Sequence, residues 1–232
     1  MDAASQIATL GLGFNPTAFF GTAHFIESWT NDKNGKDFIA VRRAFENLLA
    51  RKLDLNTVYT TLCNSGAEAN EIALGYAYKN RAHKAAKKVL AFEGSFHGRM
   101  MVTLASTWNK SKREPFEWAG FDTTYCEFPE LINDKMNKVL PVGWLSFWDN
   151  SAMDVITIPA EWKKEPELAN EVECLLKVRD ELKKKNIFSI IIEPMQCEGG
   201  DRYGSNRFYN ALLLMARSYR IKVVHDEVQT GF

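Results

Sequence analysis

FSIIIEPMQCEGGD, residues 188–201, opens as an apolar run and breaks at Glu193 into polar and glycine residues. A strand with one solvated face would carry polar residues at every second position. This one does not, so it reads as a strand buried on both faces, the kind found in mostly parallel sheets covered by helices. KVLAFEG (88–94), TTYCEFP (123–129) and IKVVHDE (221–227) read the same way. Helical spacing of apolar residues falls between them at 67–79, 166–185 and 205–219. Strand and helix in alternation predict an α/β, doubly wound architecture with a mostly parallel sheet between helices. Ligands in such folds sit at the carboxyl ends of the strands. NSGAEAN, EGSFHGR, EPMQCEGGD and HDEVQ all fall at such places.

The remaining chain fills in the picture. KDFIAVRRAFENLLAR (37–52) puts Phe38, Val41, Phe45, Leu48 and Leu49 at helical spacing, and TVYTTLCNSG (57–66) reads as a short extended segment ending in a turn. In the helix at 67–79, Ile72, Ala73, Tyr76 and Ala77 form the expected apolar stripe. The stretch 130–165, rich in Trp, Pro and Asn, reads as an insertion or surface excursion. Of 232 residues, 46% are hydrophobic and 25% charged, which is globular composition. With 29 basic and 29 acidic residues the formal charge is zero, which argues against nucleic acid or an anionic membrane surface as partner. No apolar run approaches the roughly 20 residues that span a bilayer. Cys63, Cys126, Cys174 and Cys197 show neither metal-pair nor redox spacing, which suits a reduced, cytoplasmic protein and gives no metal site.

Each polar cluster has a functional and a plain structural reading. In NSGAEANE (64–71), Ser65 and Gly66 stand where a strand turns into a helix, so the free N–H groups can hold an anion. Equally, Ser65 or Asn64 is a simple N-cap with Glu68 as box partner. In GSFHGRM (94–100), Phe96 is able to stack on a flat ring, His97 to press on it, and Arg99 to receive a carboxylate. The alternative is a turn with a core Phe and surface His and Arg. Glu193 ends an apolar strand, where a carboxylate needs a partner or a function. Asp226, after Val223 and Val224, can hold a proton on a ring nitrogen, and Gln229 can donate to a phenolate oxygen. Asp226 as a metal ligand or capping acid stays open. His225 faces away from Asp226 along a strand and reads as packing.

Taken in order, NSGAEANEIAL, FEGSFHGR, IIIEPMQCEGGD and HDEVQTGF resemble the class III (ω-type) aminotransferases, which bind pyridoxal 5′-phosphate. The run Glu198–Arg202 looks most like the lysine 6-aminotransferases. The resemblance implies the large domain of a fold-type I enzyme. Residues 1–36 would be an N-terminal segment and 37–232 a partial cofactor-binding domain, with its C-terminal part and the small domain lying beyond. It implies that Ser65, Gly66 and Ala67 hold the cofactor phosphate and that Phe96 stacks on the pyridine ring beside His97. Asp226 would pair with the ring nitrogen, Gln229 would contact the ring hydroxyl, and Glu193 would support the site. Glu198 would pair with or release an arginine as substrates exchange, and Arg99 would take a substrate carboxylate. Family members have Gly where Cys197 stands. No lysine in the chain has the context of the family's Schiff-base lysine, so residues 1–232 are expected to be inactive alone. The expected reaction moves an amino group, the ω-amino group of lysine or of a similar diamino or ω-amino acid, to a 2-oxo acid such as 2-oxoglutarate in a homodimer. Two alternatives are a glutamate-1-semialdehyde-type aminomutase and a non-catalytic truncated subunit pairing with a complete chain.

Overall fold

A computed structural model of the protein describes residues 36–116, 122–133, 135, 137, 139–153 and 155–231. Expectations for residues 1–35 lie outside them. The chain divides into two compact units, residues 1–62 and 63–232. In the first, α1 (Lys36–Lys52) matches the predicted helix. Its Phe45 and Leu48 are exposed rather than packed. The backbone N–H and hydroxyl of Thr60 both donate to the Glu46 carboxylate, at 2.8 and 2.9 Å. The predicted extended segment ending in a turn, 57–66, forms no strand before the next helix begins at Gly66.

The second unit is built on parallel strands. α2 (Gly66–Lys79) leads to β1 (Lys88–Phe92). The short helices α3 (Met101–Ala105) and α4 (Lys110–Arg113) lead to β2 (Asp122–Cys126). Then α5 (Trp144–Asp149) and α6 (Pro166–Lys183) precede β3 (Ile187–Ile192). A two-stranded antiparallel hairpin, β4 (Met195–Gln196) with β5 (Arg202–Tyr203), follows. Finally α7 (Asn206–Ser218) runs into β6 (Lys222–His225). The four main strands lie side by side in the order β2-β1-β3-β6, every pair parallel.

That order places a switch point between β1 and β3. The chain leaving β1 goes to β2 on one side, and the chain leaving β3 goes to β6 on the other. Loops diverging from neighbouring strands open a crevice at their carboxyl ends, the usual ligand position in open α/β sheets. Both faces of the sheet are covered. Leu90, Phe92, Ile190 and Ile192 pack on one side with α6 and α7 residues such as Leu175, Val178, Phe208 and Met215. Val89, Ala91 and Ile191 pack on the other with Leu74 and Ala77 of α2. β3 is buried at every position, as its apolar run predicts. β6, expected to be buried too, is only half covered: Lys222 and His225 are exposed. It stands last in the sheet order, with β3 as its strand neighbour.

Two other expectations are corrected. The buried face of α2 is Asn70, Leu74 and Ala77, while Ile72 and Tyr76 are exposed. The residues at 70, 74 and 77 are one helical face (i, i+4, i+7), and it carries a polar member. The stretch 130–165 is largely exposed where it is described, as an excursion would be, but its tryptophans are core residues. Trp144, Trp148 and Trp162 are buried in the main core, with the Trp144 ring centroid 5.6 Å from Trp148 and 4.8 Å from Trp162. The Trp144 indole donates to the Arg207 carbonyl at 3.1 Å, and Arg207 in turn pairs with buried Glu171 at 2.7 Å. Arg179 donates to the Ser151 carbonyl at 2.7 Å, closing the stretch against α6.

Trp144→Ala should therefore destabilise the protein by about 3–5 kcal/mol, the cost of emptying a large aromatic site. Tyr76→Ser on the exposed face of α2 should stay within about 0.5 kcal/mol. Urea denaturation of both variants measures this, and comparable losses would contradict the packing described.

Candidate active site

Four strand-end segments meet around Asp226. The β3–β6 ladder runs one step past β6, since the Asp226 N–H donates to the Ile192 carbonyl at 2.9 Å. This holds the Asp226 side chain at the sheet's carboxyl edge, where the residue is 6% exposed. Its Oδ2 accepts from the Asn70 side-chain amide at 2.8 Å and lies 2.8 Å from His97 Nδ1. The same Asn70 amide also donates to the His97 carbonyl at 3.1 Å. Oδ1 receives the Val228 N–H at 3.3 Å. The His97 ring is buried, and its other nitrogen, Nε2, has no hydrogen-bond partner among the described residues.

Glycines bring these segments close. A Cβ on Gly66 would stand 2.2 Å from a methyl of Val228, so the start of α2 lies directly on the turn after β6. Gly98 has φ +126°, a conformation other residues resist, and a Cβ there would meet the Ala67 Cβ at 2.5 Å. The loop after β1 is fixed further by Thr107. Its hydroxyl accepts the His97 N–H and donates to the Gly98 carbonyl, both at 3.1 Å. Glu193, just past β3, reaches across the switch point and accepts the Phe96 N–H at 3.2 Å.

The start of α2 is both a cap and an open donor pair. Ser65 Oγ accepts the Glu68 N–H at 3.2 Å, and the Glu68 carboxylate accepts the Asn64 N–H at 2.5 Å. The plain capping reading therefore holds. It leaves the N–H groups of Gly66 and Ala67, which by position have no acceptor inside the helix. These two residues are half-buried and Ser65 is exposed.

Among the sequence-predicted site residues, the structure brings together Gly66, Ala67, His97, Glu193 and Asp226, with Ser65 and half-buried Phe96 adjoining. Gln229 is half-buried in the turn that follows, where Thr230 and Gly231 donate to the Glu227 carbonyl. Arg99 is exposed, and no described residue is a polar partner of its side chain. Glu198 is exposed and pairs with Lys112 of α4, whose ammonium also lies 5.1 Å from the Phe96 ring centroid. Sequence reading missed Asn70, Glu71 and Lys112 as site members. Asn70 was detectable as the polar residue on the buried face of α2. Glu71, which accepts the Val102 and Thr103 N–H groups at 2.7 and 3.0 Å and so caps α3, carried no such signal, because its partners lie 31 and 32 residues away.

Burial pushes the Glu193 carboxyl up to about 8, assisted by the nearby Asp226 charge and opposed by the Phe96 N–H and by Arg202. A proton thus sits on Glu193 at neutral pH. His225 is lowered, again by desolvation. Burial lifts the Cys126 thiol to about 12 and Cys174 well above the usual range, so both act as packing groups.

A parallel sheet whose strand ends converge on a buried acid and a helix N-terminus defines a small-molecule site of the α/β class. Residues 1–232 match the aminotransferase class-III family, and the chain belongs to that family. Its fold is fold type I, and the family's cofactor is pyridoxal 5′-phosphate. The chain is 35% identical over 172 residues to the mitochondrial acetylornithine aminotransferase of Candida glabrata, covering 73% of this chain and 31% of that protein. It is 32% identical over 148 residues to the human mitochondrial 4-aminobutyrate aminotransferase, covering 62% and 24%. Among solved structures it is similar to a lysine aminotransferase from M. tuberculosis, with TM-score 0.65 and 25% identity, covering 94% of this chain and 48% of that one. The chain thus spans about a quarter to a third of the length of these two curated relatives.

Glu193 generates a pH prediction. The unfolded chain releases this proton near 4.5 and the folded chain near 8, so between those values the folded state binds more protons. Its contribution to stability is full below about pH 4.5 and falls as pH rises to about 8, by up to about 1.4 kcal/mol per pH unit. Glu193→Gln should remove that part of the slope and be relatively more stable at pH 8. Denaturation profiles from pH 5 to 8 that stay parallel for the two proteins would refute the assignment.

Proposed function

We propose that the protein carrying this chain is a pyridoxal 5′-phosphate-dependent aminotransferase that moves the ω-amino group of lysine, or of a similar diamino or ω-amino acid, to a 2-oxo acid such as 2-oxoglutarate. The observation that carries this reading is the buried Asp226, held by Asn70 and His97 and packed through Val228 against the start of α2. That arrangement suits a flat molecule with an anionic end and a protonated ring nitrogen. The buried Nε2 of His97, without a hydrogen-bond partner among the described residues, adds a polar atom that such a ligand would cover.

In this proposal Ser65, Gly66 and Ala67 hold the phosphate, since a helix N-terminus favours negative charge. Phe96 supplies the stacking face, with His97 beside it. Asp226 holds a proton on the ring nitrogen, and Gln229 donates to the ring hydroxyl. Glu193 stays protonated and fixes the Phe96 loop through the bond to its N–H. When bound, the cofactor supplies an electron sink for charge developing at the carbon that bears the amino group. Arg99, exposed at the start of α3, receives a substrate carboxylate. Glu198 exchanges partners as substrates change, and Lys112 is the partner the described residues give it.

The ω-amino donor is supported by the likeness to a lysine aminotransferase and by the run Glu198–Arg202. The acetylornithine and 4-aminobutyrate relatives define its competitors. A homodimer and a cytoplasmic location complete the proposal. The location rests on four free cysteines, and the mitochondrial names of the relatives make cell fractionation its test. No described helix is long and apolar enough to cross a membrane. Residues 1–232 alone are proposed not to turn over, because no lysine in them stands in the context of the family's Schiff-base lysine.

The test is glutamate formation from 2-oxoglutarate with lysine, acetylornithine and 4-aminobutyrate offered in parallel. Lysine should support the highest kcat/KM, and Asp226→Ala should lower kcat by about a hundredfold or more, the scale of losing a preorganised charge-stabilising group. Preference for another donor removes the lysine assignment. Unchanged turnover in Asp226→Ala removes the site.

A further inference from the structure

We infer that Asn70 is the positioning residue that decides which oxygen of Asp226 faces the cofactor, and that it does so from the same helix that holds the phosphate. This inference rests on the proposed function and deepens it. Asn70 lies in the second turn of α2, five residues after the Ser65 cap, and is 5% exposed. Its side-chain amide spends one N–H on the His97 carbonyl and the other on Asp226 Oδ2. Because His97 Nδ1 also meets Oδ2 at 2.8 Å, both side-chain partners occupy one oxygen. Oδ1 is left with the single, longer contact from Val228 N–H at 3.3 Å. A carboxylate oxygen accepts more than one hydrogen bond, so Oδ1 keeps capacity for an N–H presented from the crevice.

The geometry makes α2 a spacer. Its first two N–H groups stand at the anion end, and Asn70 stands further along at the acid that would meet the ring nitrogen. The distance between the two ends is then set by a rigid helix and not by loop conformation. Gly66 against Val228 and Gly98 against Ala67 close the same three segments from their backbone sides. An asparagine suits this role because it offers two donors to two acceptors at once. Aspartate at 70 would offer none, and would set a second carboxylate beside the first.

The experiment uses the native protein, with Asn70→Ala and Asn70→Asp as variants and Asp226→Ala as reference. Two dissociation constants are read, for pyridoxal 5′-phosphate by its absorbance and for inorganic phosphate by competition. Expected is a loss of about tenfold to a hundredfold in cofactor affinity for both Asn70 variants, the scale of a lost hydrogen bond to a charged group. Inorganic phosphate affinity should change less than twofold, because it engages only the start of α2. Equal losses of cofactor and phosphate affinity would mean that Asn70 merely maintains the helix, and would overturn the inference. Asn70 variants that bind cofactor like the parent while Asp226→Ala loosens it would also overturn it, leaving the proposed function intact. If Asp226→Ala itself leaves cofactor affinity unchanged, the proposed site falls and the inference with it. Asn70→Asp, which matches the native shape, keeps the test decisive should Asn70→Ala unfold.

Discussion

β3 has no face to give to water. Its six residues are buried throughout, so helices must cover the sheet on both sides. On one side that need is met by α6 and α7, on the other by α2. Covering both faces leaves the strand ends as the place where polar groups can gather. The order β2-β1-β3-β6 then parts the loops after β1 and β3. The position of the site is thus a consequence of how an apolar strand avoids water.

The polar cluster at that edge would be costly if left open. Asp226 is 6% exposed, and a buried carboxylate without donors is strongly unfavourable. Asn70, His97 and the Val228 N–H supply them. Glu193, whose donor among the described residues is the Phe96 N–H, answers the same problem differently and keeps its proton. Two acids close enough to influence each other are therefore accommodated in different ways by their surroundings.

Support for the site extends far into the core. The Tyr209 hydroxyl donates to the Glu193 and Pro194 carbonyls at 3.2 and 3.0 Å, so the start of α7 braces the turn after β3. Arg207, two residues earlier, is tied to Glu171 and to the Val139 carbonyl, and its own carbonyl takes the Trp144 indole N–H. The tryptophan-rich stretch thus shares one hydrogen-bonded support with the EPMQ turn.

Much of this was legible in the residues alone. The runs read at 88–94, 188–195 and 221–227 mark strands because apolar side chains without alternation favour burial on both faces of a sheet, and the one at 123–129 marks a strand despite its two threonines. NSGAEAN, GSFHG, EPMQ and HDEVQ mark strand ends because glycine, caps and acids belong where regular pairing stops. What the sequence could not decide depends on pairs distant along the chain. Asn70 meets Asp226 across 156 residues, and its helical register, not its identity, puts it on the buried face. Trp144 and Trp148 stand four residues apart on one short helix and Trp162 lies beyond it, and α6 and α7 closing over all three makes them core. Local spacing thus determined the elements and the location of the chemistry. Tertiary packing decided which acid keeps its proton and which donors hold the other, because desolvation and hydrogen bonding act only between groups that folding brings together.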